Sequence, residues 1–173
     1  MGDVTITYLE MTDRAQLRPH PSADPLFEVR EATVPQWRVN RFFYEGVGGD
    51  YRWHDKQAWS DEQWRAYVED ASLRTFIASW DGAPAGYFEL ASRDGEVQIA
   101  YFGLLPAFIG RGLGAALLTR ALEEAWAMEP SRVWVHTCTL DHPASLPNYL
   151  ARGLVPSKTE RAGECRPSAE HAP

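Results

Sequence analysis

The sequence predicts an α+β fold with a mixed, mostly antiparallel sheet and helices packed against it. Two turn dipeptides, Asp81-Gly82 and Asp94-Gly95, separate three strand-like runs, which is typical of an antiparallel meander. A glycine loop follows the third run and leads into a strongly amphipathic helix. A further apolar strand follows that helix, and a strand–helix–strand order favours parallel pairing. The expected elements of this region are strands at 74–80, 86–91, 96–105 and 132–140 and a helix at 112–127.

The flanking elements are predicted from local signals. Ser60 and Gln63 have capping-box spacing, which indicates a helix that begins there and runs to about residue 70. Thr33 is placed to cap a preceding helix, and three glycines near residue 48 are placed to end it. The remaining expected elements are strands at 4–9 and 154–160, an edge strand or extended approach at 26–32, and helices at 35–45 and 143–152. We expect one domain over residues 1–162 and a disordered polar tail over 163–173.

Composition limits the function classes. The chain has 173 residues, of which 45% are hydrophobic, and a formal net charge of −7. This acidity argues against nucleic-acid binding and against binding to anionic membranes. No apolar run approaches the roughly 18 residues of a membrane span.

The cysteines and the start of the chain bear on metals and location. The spacing of Cys138 and Cys165 fits neither a metal site nor a disulfide framework, and Cys138 is expected to be an inert core thiol. No signal-peptide pattern stands at the start of the sequence. We therefore expect a reducing, cytoplasmic location and no bound metal.

The glycine loop is the main functional signal. Residues 104–117 read LLPAFIGRGLGAAL, so a strand ends at Pro106 and three glycines precede a helix. The first turn of a helix has unpaired N–H groups and the positive end of the helix dipole, and both favour an anion such as phosphate. The loop therefore predicts a phosphorylated ligand.

This segment is a poor match to two common phosphate-binding loops, the dinucleotide-binding loop and the Walker loop. Gly110, Gly112 and Ala115 satisfy the G-x-G-x-x-[GA] pattern of dinucleotide-binding folds. That pattern normally opens a long series of alternating strands and helices, whereas here it lies two-thirds of the way along the chain. No Gly-Lys-Ser/Thr follows, which excludes a Walker loop.

The segment resembles motif A of the GNAT superfamily of acetyl-CoA-dependent N-acetyltransferases, [RQ]-x-x-G-x-[GA] after a strand and a proline. Gly112 and Gly114 take the glycine positions, Arg111 adds a cation, and Ile109 stands where Arg or Gln is usual. A second stretch, residues 132–154, resembles the family's next strand and helix. In it Tyr149 stands four residues before a glycine and a leucine, and His142 stands where Asn is usual.

The resemblance implies a GNAT-like fold with a central splayed parallel pair, here 96–105 and 132–140. The pantetheine arm of acetyl-CoA would lie in the gap. The resemblance also implies two strands after the tyrosine helix, whereas this chain has room for one. The sheet is then either short or completed by a partner subunit, as in a homodimer. The residues that the resemblance assigns to acetyl-CoA are Leu104, Leu105, Gly110, Arg111, Gly112, Leu113, Gly114, Ala115 and His142.

The resemblance assigns the general acid to Tyr149, whose phenol would protonate the leaving thiolate. The family's usual glutamate position holds Gln98, which cannot act as a base. Glu89 lies in an apolar strand, where its pKa would rise and it would accept a proton directly or through water. A solvated strand glutamate is an equal interpretation of Glu89, and Glu96 and His136 are the other candidates.

Eight aromatic residues crowd residues 37–64, and the family builds its acceptor wall there. Tyr44, Tyr51 and Trp53 are the candidate substrate residues, because aromatic faces hold apolar or cationic groups. Three acidic residues nearby, Glu45, Asp50 and Asp55, would meet an ammonium. The alternative is that the aromatic residues anchor two helices to the sheet.

These observations predict an N-acetyltransferase that moves an acetyl group from acetyl-CoA to a primary amine of a small molecule or peptide by direct transfer. Two alternatives stay open. One is a non-catalytic acyl-CoA-binding or regulatory domain of the same fold, and the other is a nucleotide-binding oxidoreductase fragment.

Overall fold

The computed structural model describes residues 4–163, which form seven strands and four α-helices. The strands are β1 (Val4–Met11), β2 (Phe27–Glu31), β3 (Leu73–Trp80), β4 (Ala83–Arg93), β5 (Glu96–Leu104), β6 (Arg132–Cys138) and β7 (Val155–Ala162). The helices are α1 (Trp37–Gly48), α2 (Asp61–Val68), α3 (Leu113–Trp126) and α4 (Ser145–Ala151). The tail predicted at 163–173 falls, except for Gly163, outside the described residues.

The strands form one mixed sheet in the order β2-β3-β4-β5-β6-β1-β7. Within residues 4–163, β5 and β6 are the only parallel neighbours. The predicted meander of β3, β4 and β5 is confirmed. Its two turns place Asp81 and Gly82 at φ 49° and 78°, and Asp94 and Gly95 at 51° and 79°. These positive φ values are what a tight hairpin turn requires, so the turn dipeptides determined the strand pairing. The predicted α+β, mostly antiparallel fold class is also confirmed.

The N-terminal strand occupies an unexpected place in the sheet. β1 lies between β6 and β7 and pairs antiparallel with both, with Ile6 opposite Cys138 on one side and Glu160 on the other. One strand follows the tyrosine helix, as the sequence predicts, and the start of the chain supplies the neighbour that it pairs with. The described chain thus completes this part of the sheet from its own residues.

The predicted end of α1 at the glycines is confirmed, because Gly48 is its last residue and Gly49 its C-cap, with Gly46 inside the helix. The predicted start is wrong, because α1 begins after Gln36 rather than at Thr33. A Cβ on Gly46 would lie 2.7 Å from the Leu105 side chain. A Cβ on Gly48 would overlap the ring of Trp53. Close packing therefore requires glycine at both positions.

Helices cover both faces of the sheet and enclose two apolar clusters. α3 packs on one face, where Leu117, Leu122 and Val133 are fully buried. α1 and α2 pack on the other face, where Phe43 stacks on Tyr87. The capping box predicted at Ser60 is present at the start of α2. No helix in residues 4–163 has the length and apolar character needed to cross a bilayer.

Cys138, the last residue of β6, is disulfide-bonded. The prediction of an inert free thiol at this position is therefore wrong. The other cysteine, Cys165, lies outside the described residues. A free Cys138 was one reason to expect a reducing location, and the disulfide removes that reason.

Candidate functional site

The parallel pair opens into a gap. β5 and β6 are paired over three positions only, Glu96 with Arg132 through Gln98 with Trp134. Beyond Gln98 the two strands diverge. A bulge in the β4–β5 pairing places Glu89 opposite Tyr101 and Leu90 opposite Ile99, which bends β5 at the start of the gap. The gap-facing backbone groups of the later part of β5 have no strand partner, so they are available to an extended ligand.

A cavity of about 490 Å³ occupies this gap. Its walls are the diverging ends of β5 and β6, the glycine loop, the start of α4 and residues 51–55. Of the residues that the sequence assigns to the site, nine line the cavity. They are Tyr51, Trp53, Leu104, Gly110, Gly112, Gly114, Ala115, His142 and Tyr149, the last of them the predicted acid.

The glycine loop has the geometry of an anion site. Gly110 and Gly112 have φ values of 82° and 76°, which residues with a side chain rarely adopt. Gly112 is the residue before α3, and no side chain caps the helix there. The N–H groups of the first turn of this 14-residue helix therefore keep their hydrogen-bonding capacity for a ligand.

Three residues assigned to the donor site lie outside the cavity lining. The Leu105 amide donates to the Ala85 carbonyl at 2.8 Å, so it is not free for a ligand. The Leu113 side chain is buried in the core. Arg111 is exposed, and its guanidinium lies 5.2 Å from the centre of the Trp80 ring.

Tyr149 is held against the gap by α4. The neighbouring Asn148 donates to the Gly114 carbonyl at 3.1 Å, which ties α4 to the first turn of α3. Burial, and then the negative charge of Asp141, raise the pKa of the Tyr149 phenol, which keeps it protonated at neutral pH. Among residues 4–163 its hydroxyl has no hydrogen-bond partner, so it is free to donate to a ligand.

Residues 51–53 contact the segment that follows β6 across the cavity. Trp53 Nε1 donates to Asp141 Oδ1 at 3.3 Å, and the Tyr51 ring meets the His142 ring edge-on at 5.5 Å. The Ala144 amide donates to His142 Nδ1 at 3.0 Å, which leaves Nε2 as the ring nitrogen available to a ligand.

Glu89 does not line the cavity. It is 1% exposed and accepts hydrogen bonds from Tyr67 at 2.5 Å and from Asn40 at 2.7 Å. Burial raises its pKa, and the hydrogen bonds and the charge of Lys56 oppose this rise.

The other base candidates lie in different settings. Glu96 forms an ion pair with Arg132 at 2.9 Å at the paired end of β5, and His136 lines the cavity. Gln98 is buried where the gap begins.

Asp55 is the acidic side chain of the cavity wall formed by residues 51–55. Its Oδ1 accepts from Tyr44 at 2.8 Å, and its Oδ2 accepts from Tyr101 and, at 3.4 Å, from Lys56. Sequence reasoning missed Tyr101 and Lys56. A signal existed for Lys56, because it is one of two lysines in the chain and lies within the aromatic segment.

The aromatic segment divides into a buried part and a part that lines the cavity. Phe43, Tyr44 and Trp64 are buried in the cluster that anchors α1 and α2. Tyr51 and Trp53 are partly exposed and line the cavity. Tyr44, predicted as a substrate residue, instead lies behind the wall and supports Asp55.

The fold is that of a family of acetyltransferases. The family model described as "Acetyltransferase (GNAT) family" matches residues 28–154, and the chain belongs to this family. No curated protein matches the sequence.

Solved structures share the fold at low sequence identity. A GCN5-related N-acetyltransferase from Sphaerobacter thermophilus matches with a TM-score of 0.73 and 16% identity, over 92% of this chain and 50% of that one. One from Kribbella flavida matches with a TM-score of 0.60 and 20% identity, over 91% and 58%. An aminoglycoside acetyltransferase from an uncultured soil metagenomic sample matches with a TM-score of 0.62 and 12% identity, over 76% and 90%. The chain thus spans little more than half the length of the first two.

Proposed function

We propose that this acetyltransferase moves an acetyl group from acetyl-CoA to a primary amine by direct transfer. The observation that carries the proposal is the gap between β5 and β6. It runs from the uncapped N-terminus of α3 past Tyr149 to an aromatic and acidic wall. An extended thioester with an anionic end fits this gap, and an amine fits its other end.

The donor side suits acetyl-CoA in two respects. The first-turn amides of α3, beyond Gly110 and Gly112, would hold the pyrophosphate. The unpaired edge of β5 up to Leu104 would pair with the amide groups of the pantetheine arm. Arg111, from its exposed position, would add a cation close to the loop. The positive φ values support the first contact, since they serve no hairpin or packing need here.

In the reaction the amine nitrogen attacks the thioester carbonyl, the C–N bond forms, and the C–S bond breaks as the tetrahedral intermediate collapses. Tyr149 donates its proton to the departing sulfur, and its unpartnered hydroxyl supports this role. A backbone N–H at the divergence of β5 would stabilise the oxyanion, as the family resemblance implies. Water exclusion by the cavity walls strengthens both interactions.

The route of the amine proton is a prediction. Glu89 would carry or relay it, and its buried position allows only an indirect role. Asp55 lines the cavity, and Lys56, which donates to Asp55, is close enough to Glu89 for their charges to interact. A relay from the amine to Glu89 would pass through Asp55 and Lys56.

The acceptor is proposed to be a small-molecule or peptide amine that binds against Tyr51 and Trp53. A homodimer is still a prediction. The sheet no longer gives a reason to expect one, because β1 supplies the strand that a partner subunit was expected to supply. A cytoplasmic location is also a prediction, which subcellular fractionation would test.

The experiment is to measure CoA release from acetyl-CoA with a panel of amines, amino acids, aminoglycosides and peptides, alongside calorimetric binding of acetyl-CoA. Binding with turnover of at least one amine is expected. Binding without turnover of any acceptor would replace this proposal with a non-catalytic acyl-CoA-binding domain, the candidate that Gln98 at the family's usual glutamate position favours. Binding of a nicotinamide dinucleotide in place of acetyl-CoA would support the oxidoreductase alternative.

A further inference from the structure

We propose that Asp55 is the carboxylate that recognises the acceptor, and that the acceptor is a cationic amine with an apolar body. This inference rests on the proposed function and names the substrate class of the same site. It goes beyond the family resemblance, which assigns no role to this position.

The position of Asp55 is fixed by three donors. The Tyr44 hydroxyl holds Oδ1, and the Tyr101 hydroxyl and the Lys56 ammonium hold Oδ2. The side chain keeps 17% of its surface exposed, and it lines the cavity. A carboxylate that is clamped from behind and open in front is preorganised for a cation, because ligand binding costs little side-chain entropy.

The donors belong to elements that the fold holds rigidly. Tyr44 lies on α1, and its hydroxyl also accepts a hydrogen bond from the Lys56 backbone amide at 3.1 Å. Tyr101 lies on β5 beside the bulge that opens the gap. Asp55 is therefore positioned relative to the same strand edge along which the thioester would lie.

The charges near Asp55 leave an attraction for a cation. Of Asp55, Lys56 and Glu89, only Asp55 lines the cavity, and the Lys56 side chain is 1% exposed. Arg52 also lines the cavity, but it is exposed to solvent, which screens its charge. A ligand at this wall therefore meets the Asp55 carboxylate, with the Lys56 ammonium on the far side of it.

Lys56 supports Asp55 without filling the ligand position. Its Nζ lies 3.9 Å from the centre of the Trp59 ring and 4.5 Å from that of Tyr67, in an aromatic cage behind the cavity wall. Lys56 is therefore a positioning residue. It offsets part of the cost of burying Asp55 and holds Oδ2 in place.

Aromatic faces beside Asp55 suit the body of the amine. The rings of Trp53 and Tyr101 lie 5.1 Å apart, and both residues line the cavity. A protonated amine would contact the carboxylate with its ammonium and these faces with its apolar part. A neutral molecule of the same shape would keep the second contact and lose the first.

The test compares two probes of similar shape, phenethylamine and 2-phenylethanol, by calorimetry with CoA present. Wild type is expected to bind the amine at least about tenfold more tightly, the usual effect of a hydrogen bond to a charged group. Asp55→Asn should remove that preference, and Asp61→Asn, at an exposed aspartate that does not line the cavity, should retain it. Equal preference in Asp55→Asn and wild type would overturn the proposal, as would a wild type that binds neither probe or does not prefer the amine.

Asp55→Asn leaves the Lys56 ammonium buried without its partner, which threatens folding. The Asp55→Asn/Lys56→Met double variant removes both charges and keeps the test valid. A folded double variant that still prefers the amine would overturn the inference.

The outcome is separable from that of the proposed function. Amine-selective binding without turnover would sink the transferase proposal and support this one. Turnover of amines with an acceptor KM that Asp55→Asn leaves unchanged would support the transferase proposal and contradict the role of Asp55.

Discussion

Trp53 and Asp141, which are 88 residues apart in the chain, are joined by a hydrogen bond from the indole Nε1 to Oδ1 at 3.3 Å. Asp141 is fixed in turn, because Oδ2 accepts from the Thr137 hydroxyl at 2.6 Å and from the Cys138 amide at 3.0 Å. The bond links residues 51–55 to the segment that follows β6. These two walls of the cavity are therefore joined by a side-chain contact.

Trp53→Phe keeps an aromatic wall and removes the donor to Asp141. We expect the acceptor KM to rise several-fold, with little change in the KM for acetyl-CoA, because the wall loses its fixed position. Steady-state kinetics with the best acceptor of the panel would measure both constants. Trp37→Phe, in a buried tryptophan that does not line the cavity, is the control. A lower melting temperature with an unchanged acceptor KM would mean that Trp53 has a packing role only.

Gly112→Glu tests the glycine loop, with Gly95→Glu as its matched control. Both glycines have φ near 77°, and a Cβ on either meets no atom within 4 Å. Each variant should therefore lose a similar stability, about 1–2 kcal/mol for the left-handed conformation. Only Gly112→Glu places a negative charge at the start of α3, so it alone should weaken acetyl-CoA binding by tenfold or more in calorimetry. Equal affinities in the two variants would place the anion site elsewhere.

Tyr149→Phe removes only the proposed proton donor. Turnover should fall by on the order of a hundredfold or more, while acetyl-CoA affinity holds. Tyr87→Phe is the control, since the Tyr87 hydroxyl is buried without a hydrogen-bond partner among the described residues. It should leave turnover unchanged and raise stability by about 1 kcal/mol. An unchanged turnover in Tyr149→Phe, with the chemical step shown to limit the rate, would assign the proton to water or another group.

Glu89→Gln should change how stability depends on pH. Burial raises the pKa of Glu89 above its ordinary value of 4.5. As pH rises above 4.5, the unfolded chain releases this proton before the folded protein does, so wild type loses stability up to the raised pKa. Glutamine carries no such proton, so the variant should gain stability relative to wild type over that interval. Denaturant titrations at several pH values measure this, with exposed Glu69→Gln as the control. Parallel pH profiles for Glu89→Gln and wild type would contradict the prediction.

Much of the fold and the glycine-loop side of the cavity follow from local sequence signals. The Asp81-Gly82 turn specifies its hairpin, because the positive φ values lie within the dipeptide itself. Ser60 and Gln63 specify the start of α2 through contacts three residues apart. The glycine loop is local in the same sense, so its place in the cavity was predictable.

The tertiary structure alone decided the place of β1, the reason for the α1 glycines and the surroundings of Asp55. A strand's own residues define its period but not its neighbour, and β1 is placed by pairing with chain more than 120 residues away. Gly48 ends α1 as its sequence suggests, but the local sequence does not show that the ring of Trp53 fills the space beside it. Tyr101, 46 residues after Asp55, meets that carboxylate only once the sheet and α1 are packed together. Local backbone preferences are encoded within a few residues, whereas partners across the fold depend on which surfaces are buried together.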